Sequence, residues 1–384
     1  MTIVKTYRFK LKPTRAQEQV FAQWLGSCRF VYNLCLEYRR LMYNQWQKSV
    51  SKNELQKQVK DLASEVEWLK PLHSQTLQDV TDRLEKSYDR FFKNGAGFPK
   101  FAKRSQYRSF SFKQGVQRRF YDSERIGRVY LPKIGDVAYI KSREFVGNIK
   151  RTSIIKEADG WYIAFSVEIV QEPLPRTTHH IGIDVGLESF ATLSTGEKIA
   201  PPHALRRRER RLKRLQRAVS RKSKGSNNRK KAVKRLAKEH LHIKRIRQDF
   251  LQKLSTRLIR ENQAITVEEL QIRNMMQNHH LAKSIQDASW YEFTRQLEYK
   301  ATWNGREFSK VSARNTSKMC SVCGEKAASM PLSVREWTCA RCGTHHDRDI
   351  NAAQNIKERA VGQTVLAWEI YNGISRVAQE SHVL

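Results

Sequence analysis

Four cysteines, Cys320, Cys323, Cys339 and Cys342, form two CxxC pairs separated by fifteen residues, and His345, His346, Asp347, Arg348 and Asp349 follow at once. Four thiolates at this spacing bind zinc tetrahedrally and leave no position for substrate, so the metal is structural. A mixed set that recruits His345 or His346 is the alternative. Three acids stand in contexts suited to a harder metal. Asp184 ends the apolar run from His180 and lies between Gly182 and Gly186; Glu268, with Glu269 beside it, ends the run from Ala264; Asp347 and Asp349 open a helical stretch. If the two runs are neighbouring strands of one sheet, the acids can meet at its edge and hold two divalent cations. Such ions activate water and stabilise the leaving oxygen of a phosphodiester, and all-oxygen ligands favour Mg²⁺ or Mn²⁺. Taken singly, each acid has a plainer reading: a turn after a strand, or a helix N-cap.

The charge of the chain points to the same substrate class. Its 384 residues hold 72 Lys and Arg against 38 Asp and Glu, a formal charge of +34. That excess is beyond what solubility requires and calls for a polyanion, nucleic acid above all. A membrane surface is excluded, because there is no apolar run of about 18 residues and no broad aromatic face on a basic helix. The opening residues lack a secretory apolar core, so the expected compartment is the cytosol. Cys28 and Cys35, seven apart on one helical face, read as small core residues.

Several elements are needed to position these groups. Residues 3–11 alternate as a strand, and Pro13-Thr14 then opens a helical pattern reaching Phe92, with Trp24, Tyr32, Tyr38, Tyr43 and Trp46 as bundle core or stacking surface. After Gly95 and Gly97 come short β-like runs to about Val170, which suggest a small barrel begun by the N-terminal strand and interrupted by the helices. Its basic residues, from Lys100 to Arg119, interleave with Phe101, Tyr107, Phe110, Phe112 and Phe120. Residues 205–238 hold seventeen Lys or Arg and a single acid, Glu209, yet keep an apolar stripe at Leu205, Leu212, Leu215, Val219, Val233 and Leu236. Two packed helices that bind a nucleic-acid backbone fit that pattern. His279–Trp290 reads as an irregular, mobile loop, Tyr291–Trp303 as a helix, and Glu307–Val311 as a strand.

In order and spacing these residues resemble the TnpB family, transposon-encoded RNA-guided DNA endonucleases related to the type V CRISPR effectors. The resemblance spans almost the whole chain. It rests on Tyr7-Arg8-Phe9-Lys10-Leu11-Lys12-Pro13-Thr14, Gly182-Ile183-Asp184-Val185-Gly186, the basic helices, Val267-Glu268-Glu269-Leu270, the CxxC pairs, and the run from Asp347 to Asn355. One departure is Glu269, where the family pattern has Asp.

The resemblance implies an α+β multidomain protein. Its parts would be a β-barrel wedge domain (1–12 and 96–175), an inserted helical recognition domain (13–95), and an RNase H-like, RuvC-type nuclease domain (176–314 and 346–372, basic helices 204–260). A zinc module (315–345) is inserted in the nuclease, and a tail (373–384) follows. It assigns Asp184, Glu268 and Asp349 as catalytic Mg²⁺ ligands and prefers Asp349 to Asp347. The implied partners are a guide RNA from the transposon end and complementary double-stranded DNA beside a short target-adjacent motif, bound by a monomer. Acids at all three positions argue against the nuclease-dead repressors of the family. A transposase or resolvase of the same fold and a non-catalytic RNA-guided regulator are the rival readings.

Overall fold

The computed structural model describes residues 1–360 apart from 115, 117, 124 and 332; the expected end of the nuclease segment, 361–372, and the tail, 373–384, lie outside the described residues. The chain divides into two compact units, Thr2–Val170 and the part from Gln171 onward.

In the first unit, β1 (Thr2–Lys12) is followed by three helices, α1 (Arg15–Trp46), α2 (Lys52–Glu65) and α3 (Ser74–Asn94), and then by β2 (Ser109–Phe112), β3 (Arg118–Ser123), β4 (Ile126–Leu131), β5 (Gly135–Ile140), β6 (Asn148–Glu157) and β7 (Gly160–Val170). Thr14 starts α1 through a capping box with Gln17, and Gly95 ends α3 in the left-handed conformation. The strands form one antiparallel sheet in the order β2-β6-β7-β1-β5-β4-β3. β1 is interior to it, running against β7 from Thr2↔Val170 to Lys10↔Tyr162 and against β5 through Leu11↔Tyr139. The helices are therefore inserted between two strands of one sheet.

Aromatic packing joins the helices to that sheet. Phe21 meets Trp161 edge-on at 5.1 Å and Trp24 tilts against Phe110 at 5.4 Å. Trp24 and Tyr32 are core, whereas Tyr43 and Trp46 are exposed. Phe110 and Phe112, which the sequence pattern offered for base stacking beside basic residues, are fully buried. Alternation put them on the inner face of β2. Cys28 and Cys35 are buried as expected, and burial pushes their thiols up to about 12 and about 11.

The second unit contains β8 (His180–Asp184), β9 (Ala191–Leu193), β10 (Lys198–Ile199), the helices α4 (Ala204–Ser220) and α5 (Asn227–Glu261), then β11 (Ala264–Glu269), α6 (Ile272–Met275), α7 (His279–Ala288), α8 (Trp290–Asn304) and β12 (Glu307–Ser312). A small hairpin of β13 (Glu336–Thr338) and β14 (His345–Asp347) leads into the last helix among the described residues, α9, over 348–360. The main sheet has the order β10-β9-β8-β11-β12, with β8, β11 and β12 parallel. Parallel neighbours require long crossovers, which α4–α5 and α6–α8 supply.

Two expectations are corrected here. The stretch expected as a mobile loop from His279 folds as α7, because Ile285 is buried in the core with Phe293 and Leu297. Its Asp287 carboxylate accepts from the Leu205 N–H at the start of α4, at 3.1 and 3.2 Å. Near the start of α5 the stripe is shifted by one residue: Ala232 is buried, while Val233 is 45 % exposed. Leu212, Leu215, Val219 and Leu236 of the stripe are half-buried, and Glu239, 5 % exposed, adds a polar tie between the helices, accepting Arg208 at 3.3 Å and Arg211 at 2.9 Å.

Candidate nuclease site and four-cysteine module

Asp184 is the last residue of β8, and Glu268 is the penultimate residue of β11. The two strands run in register from Ala264↔His180 to Val267↔Ile183. One step further along the same ladder sets Glu268 beside Asp184. Opposed residues of parallel strands project to the same face, so the carboxylates share a side of the sheet.

The third acid arrives on α9, and Gly182 explains how the helix gets close enough. A Cβ at Gly182 would sit 2.1 Å from the Ala353 carbonyl oxygen and 2.6 Å from the Lys357 backbone nitrogen. Only a residue without a side chain lets the helix backbone cross β8 at this depth. With α9 so seated, Asp349 lies near enough to Asp184 for their charges to interact.

The electrostatics of this trio are unfavourable in the absence of a cation. Burial, followed by the neighbouring charges of Glu268 and Asp349, raises the Asp184 carboxyl well above its ordinary range, against a smaller opposing pull from Arg348 and the Val185 N–H. Burial also raises Glu268, opposed by a hydrogen bond from Thr316 and the charge of Arg359. Half-buried carboxylates that repel one another suit hard divalent cations, which supply the missing counter-charge.

Asp347 has a different role. Its Oδ1 accepts the Asp349 and Ile350 N–H groups at 3.0 Å each, and its Oδ2 accepts Lys198 Nζ at 2.6 Å. It is the N-cap of α9. Burial alone would raise its carboxyl, but Lys198 and the capped N–H groups hold it below the usual range. Arg335, from the cysteine module, stands across the same rim at 2.9 Å from Glu188 and 3.8 Å from Asp349. Glu188 and Lys198 carry no sequence signal that would have selected them beforehand.

The four cysteines converge: their Sγ atoms all lie within 4.8 Å of one another. Hydrogen bonds from the Thr344 hydroxyl and N–H hold the Cys342 thiol down to about 6, so a thiolate is available at neutral pH. His346 Nε2 is 3.0 Å from Cys320 Sγ and the ring leans on Trp337, 4.9 Å away. The histidine therefore contacts a cysteine of the quartet. The donor set fits zinc in a closed site.

Comparison with known proteins adds ancestry to this geometry. Residues 164–279 match the OrfB_IS605 family, described as "Probable transposase", residues 290–356 the "Cas12f1-like, TNB domain", and residues 1–48 a "Helix-turn-helix domain". Within 1–48 the structure has one strand and one long helix, β1 and α1. A "Putative RNA-guided DNA endonuclease" of Streptomyces pristinaespiralis is 37 % identical over 367 residues, covering 92 % of this chain and 89 % of that one. The "Putative RNA-guided DNA endonuclease InsQ" of Escherichia coli K12 is 33 % identical over 385 residues, covering 96 % and 94 %. Among solved structures, a Cas12f1 chain from a complex with sgRNA and target DNA superposes with a TM-score of 0.61 at 13 % identity, covering 93 % of this chain and 99 % of that one. The fold is thus the mixed α+β architecture of the compact type V effectors. By descent the chain belongs to the TnpB family of transposon-encoded RNA-guided DNA endonucleases.

Proposed function

We propose that this protein is an RNA-guided DNA endonuclease that binds a guide RNA from its own transposon end and cleaves complementary double-stranded DNA beside a short adjacent motif. The observation that carries the reading is the trio Asp184, Glu268 and Asp349, in which burial and mutual repulsion leave Asp184 short of a counter-cation. The second unit is read as a RuvC-like nuclease domain of the RNase H type with an inserted zinc module. The antiparallel sheet of the first unit is read as the wedge domain and α1–α3 as the recognition domain. Asp184, Glu268 and Asp349 would hold two Mg²⁺ or Mn²⁺ ions, and Cys320, Cys323, Cys339 and Cys342 one zinc. Bound divalent ions supply Lewis acidity and a hydroxide at neutral pH. The acids themselves orient by strand register and by the cap of α9. The exposed basic face of α4 and α5 binds phosphates without reading sequence, which base pairing does instead.

The test is to express the protein with its flanking locus, sequence the co-purifying RNA, and challenge the complex with a plasmid library randomised beside the guide match. Cleavage that requires divalent metal and is abolished by Asp184→Ala, Glu268→Ala or Asp349→Ala is expected. Cutting without a defined RNA would favour the transposase or resolvase reading, and bound RNA with silencing but no nick would favour the regulator.

A further inference from the structure

The loop that joins β12 to the first cysteine pair does more than connect them. Thr316, 3 % exposed, puts its hydroxyl 2.5 Å from Glu268 Oε1 and 3.1 Å from the Ala313 carbonyl oxygen. One hydroxyl has one hydrogen, and the closer, anionic acceptor takes it. Among the described residues Thr316 is the one side chain that hydrogen-bonds to Glu268, and Oε2 is left without such a bond.

Thr316 is in turn held by α9. Asn355 Nδ2 donates to the carbonyl oxygens of Thr316 at 2.8 Å and Met319 at 2.7 Å. Asn351, one turn earlier, donates to the Met319 carbonyl oxygen at 2.7 Å and accepts the Ser321 N–H at 2.9 Å. Met319 and Ser321 flank Cys320. A short polar chain thus runs from the cysteine site and α9 through Thr316 to Glu268.

We infer that Thr316 is a positioning residue for Glu268: its hydroxyl fixes Oε1 so that Oε2 is presented to a divalent cation, and Asn355 transmits the placement of the cysteine module to that hydroxyl. The inference rests on the reading of Glu268 as a ligand. Outer hydrogen bonds of this kind set ligand orientation, and their loss typically costs ~10- to 100-fold in metal affinity or activity.

The test compares Thr316→Val, Thr316→Ser and Glu268→Gln in the full ribonucleoprotein, with zinc content and bound RNA measured for each. Metal binding is read in two ways: by the Mg²⁺ concentration for half-maximal cleavage, and by Mn²⁺ affinity from electron paramagnetic resonance. Thr316→Val should keep one zinc and its RNA but need ~10-fold or more additional metal in both readouts, while Thr316→Ser should restore wild-type values. If Thr316→Val titrates like wild type while Glu268→Gln is inactive, the positioning role is wrong and Glu268 remains a ligand. If Glu268→Gln binds Mn²⁺ and cuts normally, it is the assignment of Glu268 that fails. Loss of zinc in both Thr316→Val and Thr316→Ser would overturn the inference in favour of a purely structural hydroxyl.

Discussion

At the scale of single residues, type and context singled out the acids, spacing alone could not separate a ligand from a cap, and the family resemblance preferred Asp349 to Asp347. Asp347 and Asp349 are two apart at the start of one helix, and the hydrogen bonds of Asp347 to N–H groups and Lys198 mark it as the cap. Thr316 was invisible for a similar reason, since a lone threonine before a cysteine pair carries no periodic or spacing signal. The raised carboxyl of Asp184 makes stability depend on pH. A folded state that holds this proton more tightly than the unfolded chain loses stability as pH rises from the ordinary carboxylate range through the raised value. At neutral pH without divalent metal, Asp184→Asn should therefore melt above wild type. The difference should shrink as pH falls through the ordinary carboxylate range, below which Asp184 is protonated in both states, and Mg²⁺ should raise the melting temperature of wild type more than that of the variant. Thermal denaturation at several pH values checks all three; a variant that melts below wild type in metal-free buffer at pH 7 contradicts the account.

At the scale of elements, strands and helices were legible where apolar period and punctuation agreed. β4 to β7, α8 and β12 fall close to the runs read from sequence, and the glycine-rich break after Phe92 coincides with the end of α3. α7 was not legible, because its sequence is polar and, among its described side chains, Ile285 alone is buried. Nor could the sequence tell that Gly182 serves helix α9, more than 150 residues later, although its glycine type was noticed. Gly182→Ala should force the Ala353 carbonyl away, costing about 1–3 kcal/mol and shifting Asp349 relative to Asp184. The expected result is a folded, RNA-binding protein with reduced cleavage, whereas full activity at unchanged melting temperature would rule out the close approach. Replacing Cys320 or Cys339 by Ser should remove zinc and loosen 315–360 before the rest of the unit. Hydrogen exchange should show faster amides in that segment while β8 and β11 stay protected.

At the scale of the whole molecule, charge was the clearest message of the composition, and the structure shows where part of it is concentrated. Arg210, Arg214 and Arg217 are exposed along α4, while Arg208 is partly committed to Glu239. Changing these three exposed arginines to Gln should weaken RNA binding uniformly and flatten the dependence of log affinity on log salt by about 2–3. An unchanged slope would mean that α4 does not face the nucleic acid. The insertion of the cysteine module between β12 and α9 also has a consequence for synthesis. When β11 has been synthesised the chain has two of the three acids, and about 80 more residues, roughly 4–16 s of translation, must be added before Asp349 exists. That last acid joins the others only after the cysteine loops have been made, so the nascent chain passes through an interval in which the basic helices α4 and α5 are present but the proposed set of three carboxylates is incomplete.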